Sequence, residues 1–302
     1  MVLGLPANGL VLWMTAFRMA RTVTTVWFFS LALADFAILL TLPNATDILI
    51  RTRWPRSALS CKLYPAFLVS AFFISISLLV LISLDRCVSV LWPVWARNHR
   101  TVRRACWLVL GVWLLALVTG TPHLIFWKMG THKGCPYCYF SPWVPSTKEK
   151  HIAVNLVHVL ASFLLPLAVI SACALLICAK LRREGWVQAR RPKRLLLVLV
   201  ATFFTFWFPF QVTFLLHPLY QDEPRMPLYL WATISLGCFN SCLNPFLYVF
   251  IGRDFQDKFF GSLPTVLARA FGNEGFLNPP GPQESPPGDQ SNLPEGTRNT
   301  SA

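Results

Sequence analysis

Charge is the scarcest ingredient of this chain. Only 13% of its 302 residues are charged, and Asp and Glu together number 13. A soluble domain of this size carries about 25% charge. The shortage excludes an ordinary water-soluble fold, and the 55% apolar content with a mean hydropathy of +0.51 points to an integral membrane protein. Enzyme signatures are also missing. There is no His-Glu-x-x-His, and neither Gly-x-Gly-Asp nor Gly-x-Ser-Gly of an intramembrane protease. Asp35 and Asp85 fall in different apolar runs at different depths, so they form no catalytic dyad. Cys135-Pro136-Tyr137-Cys138 has metal-like spacing, but no second ligand pair follows it to complete a zinc site. The net charge of +14 is no mark of nucleic-acid binding either. That reading needs a basic face on a soluble fold, whereas these cations sit between long apolar runs.

What is present is a series of seven apolar runs: Met1–Phe17, Thr24–Ile50, Leu63–Leu91, Ala105–Trp127, Ile152–Ala179, Leu195–Leu219 and Met226–Ile251. A spanning helix needs about 20 residues, and only the first run falls short. An odd number of spans places the termini on opposite sides. Lys and Arg then set the orientation. Arg51, Arg53, Arg56, Lys62, Lys128, Lys133, Lys148, Lys150 and Arg225 fall on one side, and the other 18 of 27 fall on the opposite side. The richer side is the cytoplasmic one, which puts the C-terminus inside and the N-terminus outside. Met1–Phe17 lacks a basic leading segment and reads as a signal anchor. The outer side keeps nine cations against Asp47, Glu149, Asp222 and Glu223. Such a mouth can steer an acidic ligand, and the alternative is a solvated loop surface.

The division expected is residues 1–252 as the membrane domain, 253–271 as an amphipathic juxtamembrane helix and 272–302 as a disordered cytoplasmic tail. In the second part Phe255 and Phe259 make an aromatic stripe suited to inner-leaflet lipid. The tail is rich in Pro, Gly, Ser and Asn and cannot build a core. Arg190-Arg191-Pro192-Lys193-Arg194 is a positive-inside junction that can touch anionic membrane lipids.

Polar residues inside the apolar runs are the informative ones. A carboxylate at Asp35 costs roughly 2.5–3.5 kcal/mol on insertion scales, so it requires partners. Asn244-Pro245-Phe246-Leu247-Tyr248 places an amide, a helix-opening proline and a phenol at the end of a span. Asp85 and Arg86 are adjacent at a membrane edge and are expected to pair.

These residues carry a resemblance. Asp85-Arg86-Cys87, Trp207-Phe208-Pro209 and Asn244-Pro245-Phe246-Leu247-Tyr248 resemble the third-, sixth- and seventh-helix signatures of rhodopsin-like G-protein-coupled receptors. Asn8 and Trp113 match the markers of the first and fourth helices. Pro93-Val94-Trp95, Asn98-His99-Arg100-Thr101-Val102 and Phe239-Asn240-Ser241-Cys242-Leu243-Asn244-Pro245 look like the chemoattractant branch, which includes the formyl peptide receptors. Arg183-Glu184-Gly185-Trp186-Val187 and Arg191-Pro192-Lys193-Arg194 look most like receptors for D-series resolvins. The resemblance implies an all-α membrane protein, a seven-transmembrane-helix bundle with a short amphipathic eighth helix, at the plasma membrane. It implies a heterotrimeric G protein of the inhibitory class as partner and a role in inflammatory chemotaxis.

The same resemblance assigns roles. Asp85, Arg86, Asn244, Pro245 and Tyr248 form the G-protein switch. Trp207, Pro209, Phe203, Ile76 and Pro166 form the activation relay. Asp35, Ser75, Asn240 and Ser241, with Asn244, can hold a structural sodium ion; the alternative is a hydrogen-bond cluster without an ion, and no other cofactor is expected. Cys61 is tied to the second outer loop, through Cys138 or Cys135. Such a bridge closes a loop of about 75 residues and contributes roughly 4 kcal/mol.

Formyl peptide receptors grip their ligand with an Asp and two Arg, and the matching positions here are Val69, Val154 and His158. With that charged grip missing, His158 and Lys128 favour an acidic lipid mediator over a peptide, and a neutral packing histidine is the alternative. Two departures from the family are visible. Asn8 should lie mid-helix, yet the seven residues before it add only about 10 Å, so the first helix is expected to be short at its outer end, as in a truncated copy. Ala174 stands where many relatives carry a tyrosine facing Tyr248. A weakly signalling or non-signalling copy, a relic or modulatory partner, is the competing reading.

Overall fold

A computed structural model describes residues 3–51, 57–132, 135–140, 148–183, 190–217, 219–220 and 225–251. The expected juxtamembrane helix and tail, 253–271 and 272–302, lie outside the described residues, as do the side chains of Val154, Tyr248 and Cys135.

The chain runs α1 (Gly4–Trp13), which continues as a π-helical stretch over Met14–Arg18, then α2 (Val23–Arg51), α3 (Ala58–Leu91), α4 (Pro93–His99) and α5 (Val102–Phe126). A hairpin of β1 (Trp127–His132) and β2 (Cys135–Phe140) follows. The last elements are α6 (Lys148–Val159), α7 (Leu165–Arg183), α8 (Arg190–Leu216) and α9 (Met226–Ile251), with a π-helical stretch, Leu160–Leu164, joining α6 to α7. Among the described residues, seven helical stretches match the seven apolar runs, with α6 and α7 forming one span. Val23–Pro43, Ala58–Leu91, Val102–Phe126 and Asn155–Arg183 are each long and apolar enough to cross a membrane.

Local chemistry explains where the helices begin. Ser57 and Ser60 form a reciprocal capping box that starts α3 ahead of its apolar run. Thr25 N–H donates to Thr22 Oγ1 at 3.2 Å, and Thr22 N–H donates to Thr25 Oγ1 at 2.8 Å, closing the start of α2. Thr101 accepts from Arg104 N–H to cap α5. Pro93 occupies the first turn of α4, where no backbone donor is needed. The π-helical stretch before α7 lies one turn ahead of Pro166, which has no N–H to close a regular turn.

Packing places α3 at the centre, against α2, α5 and α7, while α9 lies on α1, α2 and α8. The core joins Trp27, Phe28, Leu31, Phe72, Leu78, Ile170, Phe203 and Trp207. The outer faces are apolar too: Trp107, Leu114, Leu117 and Val118 of α5 are all exposed. That inversion of a soluble protein's surface suits a lipid-facing helix. Gly120 lets α5 close on α3, because a Cβ there would overlap Ser70 Oγ and lie 3.1 Å from the Ala66 carbonyl oxygen. Ser70 Oγ also donates to the Ala116 carbonyl at 2.8 Å.

Candidate functional site

The middle of the bundle holds a sealed polar cluster. Asp35 is fully buried on α2. Ser75 Oγ of α3 donates to Asp35 Oδ1 at 3.0 Å, and Asn244 Nδ2 of α9 donates to Asp35 Oδ2 at 2.7 Å. Ser241, one turn before Asn244, is a further partner of the carboxylate. Three helices are thus tied at one residue. Asn244 Oδ1 and Asn240 Nδ2 are buried without a hydrogen-bond partner. Asn8 braces the same region from α1, donating from Nδ2 to the Gly4 and Ser241 carbonyls at 3.0 Å each. Trp113 Nε1 donates to Ser30 Oγ at 3.0 Å and fastens α5 to α2.

At the Asp85 end of α3 the expected pairing is corrected. The Asp85 carboxylate is held by Arg100 instead of by its neighbour, with Nε donating to Oδ1 at 2.7 Å and Nη2 to Oδ2 at 3.0 Å. Arg86 turns away and donates from Nη2 to Thr24 Oγ1 at 3.0 Å. Arg100 Nη2 reaches the same hydroxyl at 2.8 Å. Two guanidinium groups therefore converge on Thr24, and the buried Arg86 Nε has no hydrogen-bond partner. The reason is helical geometry, since residues i and i+1 do not face each other. Arg100, just past the end of α4, approaches from the side that Asp85 faces. Thr24 and Arg100 were not among the site residues expected from sequence, although Arg100 lies inside one of the recognised motifs.

Between these levels lies an aromatic block. Phe72 meets Trp207 edge-on at 4.7 Å, and Phe203 stacks with Phe163 at 5.8 Å and lies 6.4 Å from Trp207. Ile76 and Phe203 belong to one cluster, and Pro166 is buried in the first turn of α7. Pro209 lies inside α8 two residues beyond Trp207, and Pro245 inside α9 next to Asn244.

The far end carries the hairpin. Cys61, in the first turn of α3, is bonded to Cys138 of β2, with Cα atoms 5.9 Å apart. Met129 of β1 pairs with Cys138, and the exposed Lys128 precedes it. The bridge therefore holds Lys128 close to the top of α3. His158 of α6 is half-buried, with its ring 4.9 Å from that of Phe214 on α8. Asn155 Nδ2 donates to the Phe214 carbonyl at 2.8 Å, fixing α6 against α8. Val69 is half-buried on α3. Among the described residues, no group of three or more His, Cys, Asp or Glu is placed to hold a metal ion.

Comparison with known proteins agrees with this architecture. The family profile of the 7 transmembrane receptor (rhodopsin family) matches residues 7–248. The chain is 54% identical over 293 residues to the human protein named "Probable G-protein coupled receptor 32", covering 92% of this chain and 82% of that one. It is 40% identical over 290 residues to mouse "Formyl peptide receptor 2", covering 90% of this chain and 83% of the relative. Human "N-formyl peptide receptor 2" is 40% identical over 291 residues, with 90% and 83% covered. Such relatives are receptors and not enzymes, and they are multi-pass proteins of the plasma membrane. With the profile spanning its helices and these relatives matching nearly its full length, the chain belongs to the rhodopsin family of G-protein-coupled receptors, in the chemoattractant branch.

Proposed function

We propose that this receptor senses an acidic lipid mediator and signals through an inhibitory G protein, with its N-terminus outside the cell and its Asp85 end in the cytoplasm. The observation that carries the reading is His158. It is a half-buried imidazole set against Phe214, with Val69 supplying apolar surface where formyl peptide receptors carry an acid. Lys128, pinned beside the disulfide, adds a cation near the mouth. A carboxylate on an apolar chain suits that combination better than a formylated peptide does. The orientation is supported by Arg97, Arg100, Arg103, Arg104, Arg182 and Arg183 around the Asp85 end.

The test is nucleotide exchange on inhibitory G protein, measured in membranes with a panel of fatty-acid-derived acids, their methyl esters and formyl peptides. His158→Leu is expected to shift the response to acids at least tenfold to higher concentration, the weight of one charge-assisted hydrogen bond. Esters should be weak on both proteins. A potent response to formyl peptides, unaffected by His158→Leu, would sink the lipid reading. Silence in receptor that has reached the surface would favour the non-signalling, modulatory role.

A sodium ion at Asp35 is part of the same proposal. The fit rests on Asn244 Oδ1, an oxygen sealed in the core without a donor, beside a carboxylate flanked by hydroxyl groups. Asp35, Ser75, Asn240, Ser241 and Asn244 would hold the ion, which would supply a counter-charge for the buried carboxylate. Purified receptor should melt several degrees higher in sodium chloride than in choline chloride at equal ionic strength. Asp35→Asn should abolish the difference; an equal difference in the mutant would refute the site.

A further inference from the structure

At the Asp85 end of the bundle, two free thiols meet between α3 and α7. Cys87 stands on α3 just beyond Arg86, and Cys173 stands on α7. They are 5% and 4% exposed. The Cys173 thiol is hydrogen-bonded to that of Cys87. With Ala174, Ile177 and Leu181 they make a small buried cluster of their own, apart from the main core. Cys238 and Cys242 are neighbours too, but both belong to α9, so a bond there would tie no helix to another. The Cys87 and Cys173 pair lies on two helices.

A single buried cysteine behaves as a small apolar residue. Two in contact have a reaction open to them that neither has alone. A peroxide oxidises one thiol to a sulfenic acid and leaves as water. The neighbouring thiol then attacks that sulfur, a second water departs, and a disulfide remains. The two sulfurs give up two electrons, which reduce the peroxide, and the two thiol protons leave in the waters. The second step joins groups already touching, so the sulfenic acid is trapped before it is oxidised further. The first step needs a molecule little larger than water to reach Cys87, which lies four residues, or about 6 Å, from the end of α3. From contact, the bonding distance of about 2.05 Å is reached by side-chain rotation and a small helix shift.

We infer that Cys87 and Cys173 form an oxidation site for hydrogen peroxide, which closes them to a disulfide that clamps α3 to α7 beside Arg86. A bond made in the arrangement seen here favours that arrangement over any in which the two helices separate at this level.

Purified full-length receptor is treated with graded hydrogen peroxide, alkylated, digested without reductant and examined by mass spectrometry. The proteins are wild type, Cys87→Ser, Cys173→Ser and Cys106→Ser. Cys106 is exposed on α5 and serves as the reactive thiol outside the pair. The Cys61–Cys138 peptide marks recovery in every sample. The expected result is a Cys87–Cys173 peptide that rises with peroxide in wild type and in Cys106→Ser and is absent from the other two. The same treatment should raise the melting temperature of wild type by several degrees, since the bridge closes a loop of about 85 residues. Neither Cys87→Ser nor Cys173→Ser should gain from it. Oxidation of Cys106 while Cys87 and Cys173 stay open to alkylation would show a pair packed for size alone and overturn the site. A link from either thiol to another cysteine, Cys178 above all, overturns the pairing. A Cys87–Cys173 link without a rise in melting temperature overturns the clamp, because the bond then forms in some other arrangement. If a serine variant fails to fold, wild type and Cys106→Ser still decide the outcome, since both keep the two thiols.

Discussion

Cys138→Ser should reduce correctly folded receptor at the cell surface by tenfold or more, while Cys135→Ser should leave it close to wild type. The Cys61–Cys138 bond closes a separation of 77 residues. Chain-entropy arithmetic gives such a bond roughly 4 kcal/mol, a large share of a typical net stability of about 5–15 kcal/mol. The bond also has a local task. It fixes β2 to the first turn of α3, and the β1–β2 register then carries Lys128 with it. Surface quantity is read by antibody against an epitope tag, and folding by the melting temperature of solubilised receptor. Cys61→Ser should match Cys138→Ser, and the double mutant should be no worse than either single one, because all three lose the same bond. A Cys135→Ser defect as large as that of Cys138→Ser would mean that the bridge is exchanged between the two cysteines.

The choice between those cysteines shows where the sequence stops being readable. Along a strand, side chains alternate between faces, so residues three apart point to opposite sides. Cys138 is the one bonded to Cys61, in the hairpin register that pairs it with Met129, and no local signal in the sequence sets that register. The helices were more legible. Long apolar runs in a chain so poor in charge give the bundle, and the run Met226–Ile251 coincides with α9. α3 starts at Ala58, ahead of the apolar run Leu63–Leu91, because its first turn is defined by the Ser57 and Ser60 cap and not by apolar residues. Asp35 was recognisable because a mid-span carboxylate demands partners. Its partners Ser75 and Asn244 came from motif positions, since helical periodicity alone does not say which of three helices converge. The meeting of Cys87 with Cys173 was invisible, because a cysteine in an apolar run looks the same whether a second thiol touches it or not. Arg100 was passed over for another reason: adjacency of Asp85 and Arg86 suggested a pair, whereas both carboxylate oxygens are taken by Arg100.

That corrected pair yields the second large expected effect. Arg100→Ala should raise ligand-free G-protein activation several-fold, and Arg86→Ala should abolish activation by any ligand. In the structure Asp85 has both carboxylate oxygens occupied by Arg100, and Thr24 accepts from both arginines. The cluster ties the start of α2, the end of α3 and the chain leaving α4 into one unit. The bidentate contact is charge-assisted, with Asp85 mostly buried and Arg100 less so, and such bonds contribute about 1.5–3 kcal/mol. Losing part of that from the resting state shifts a two-state equilibrium by roughly tenfold per 1.4 kcal/mol. Arg86 is different in kind. Its Nε has no hydrogen-bond partner and its Nη2 donates to a neutral hydroxyl, so less holds it than holds Arg100, and its release towards a partner protein breaks one neutral contact. Arg100→Lys separates charge from geometry. A lysine keeps the charge but cannot form two parallel bonds, so basal activity should lie between wild type and Arg100→Ala. The double mutant Arg86→Ala/Arg100→Ala should be silent, because release of the latch has no consequence once the released group is gone. Basal nucleotide exchange in membranes with matched receptor amounts reads all four proteins. If Arg100→Ala leaves basal exchange at the wild-type level while its melting temperature falls, the Asp85–Arg100 contact is a structural tie and not a restraint on activation.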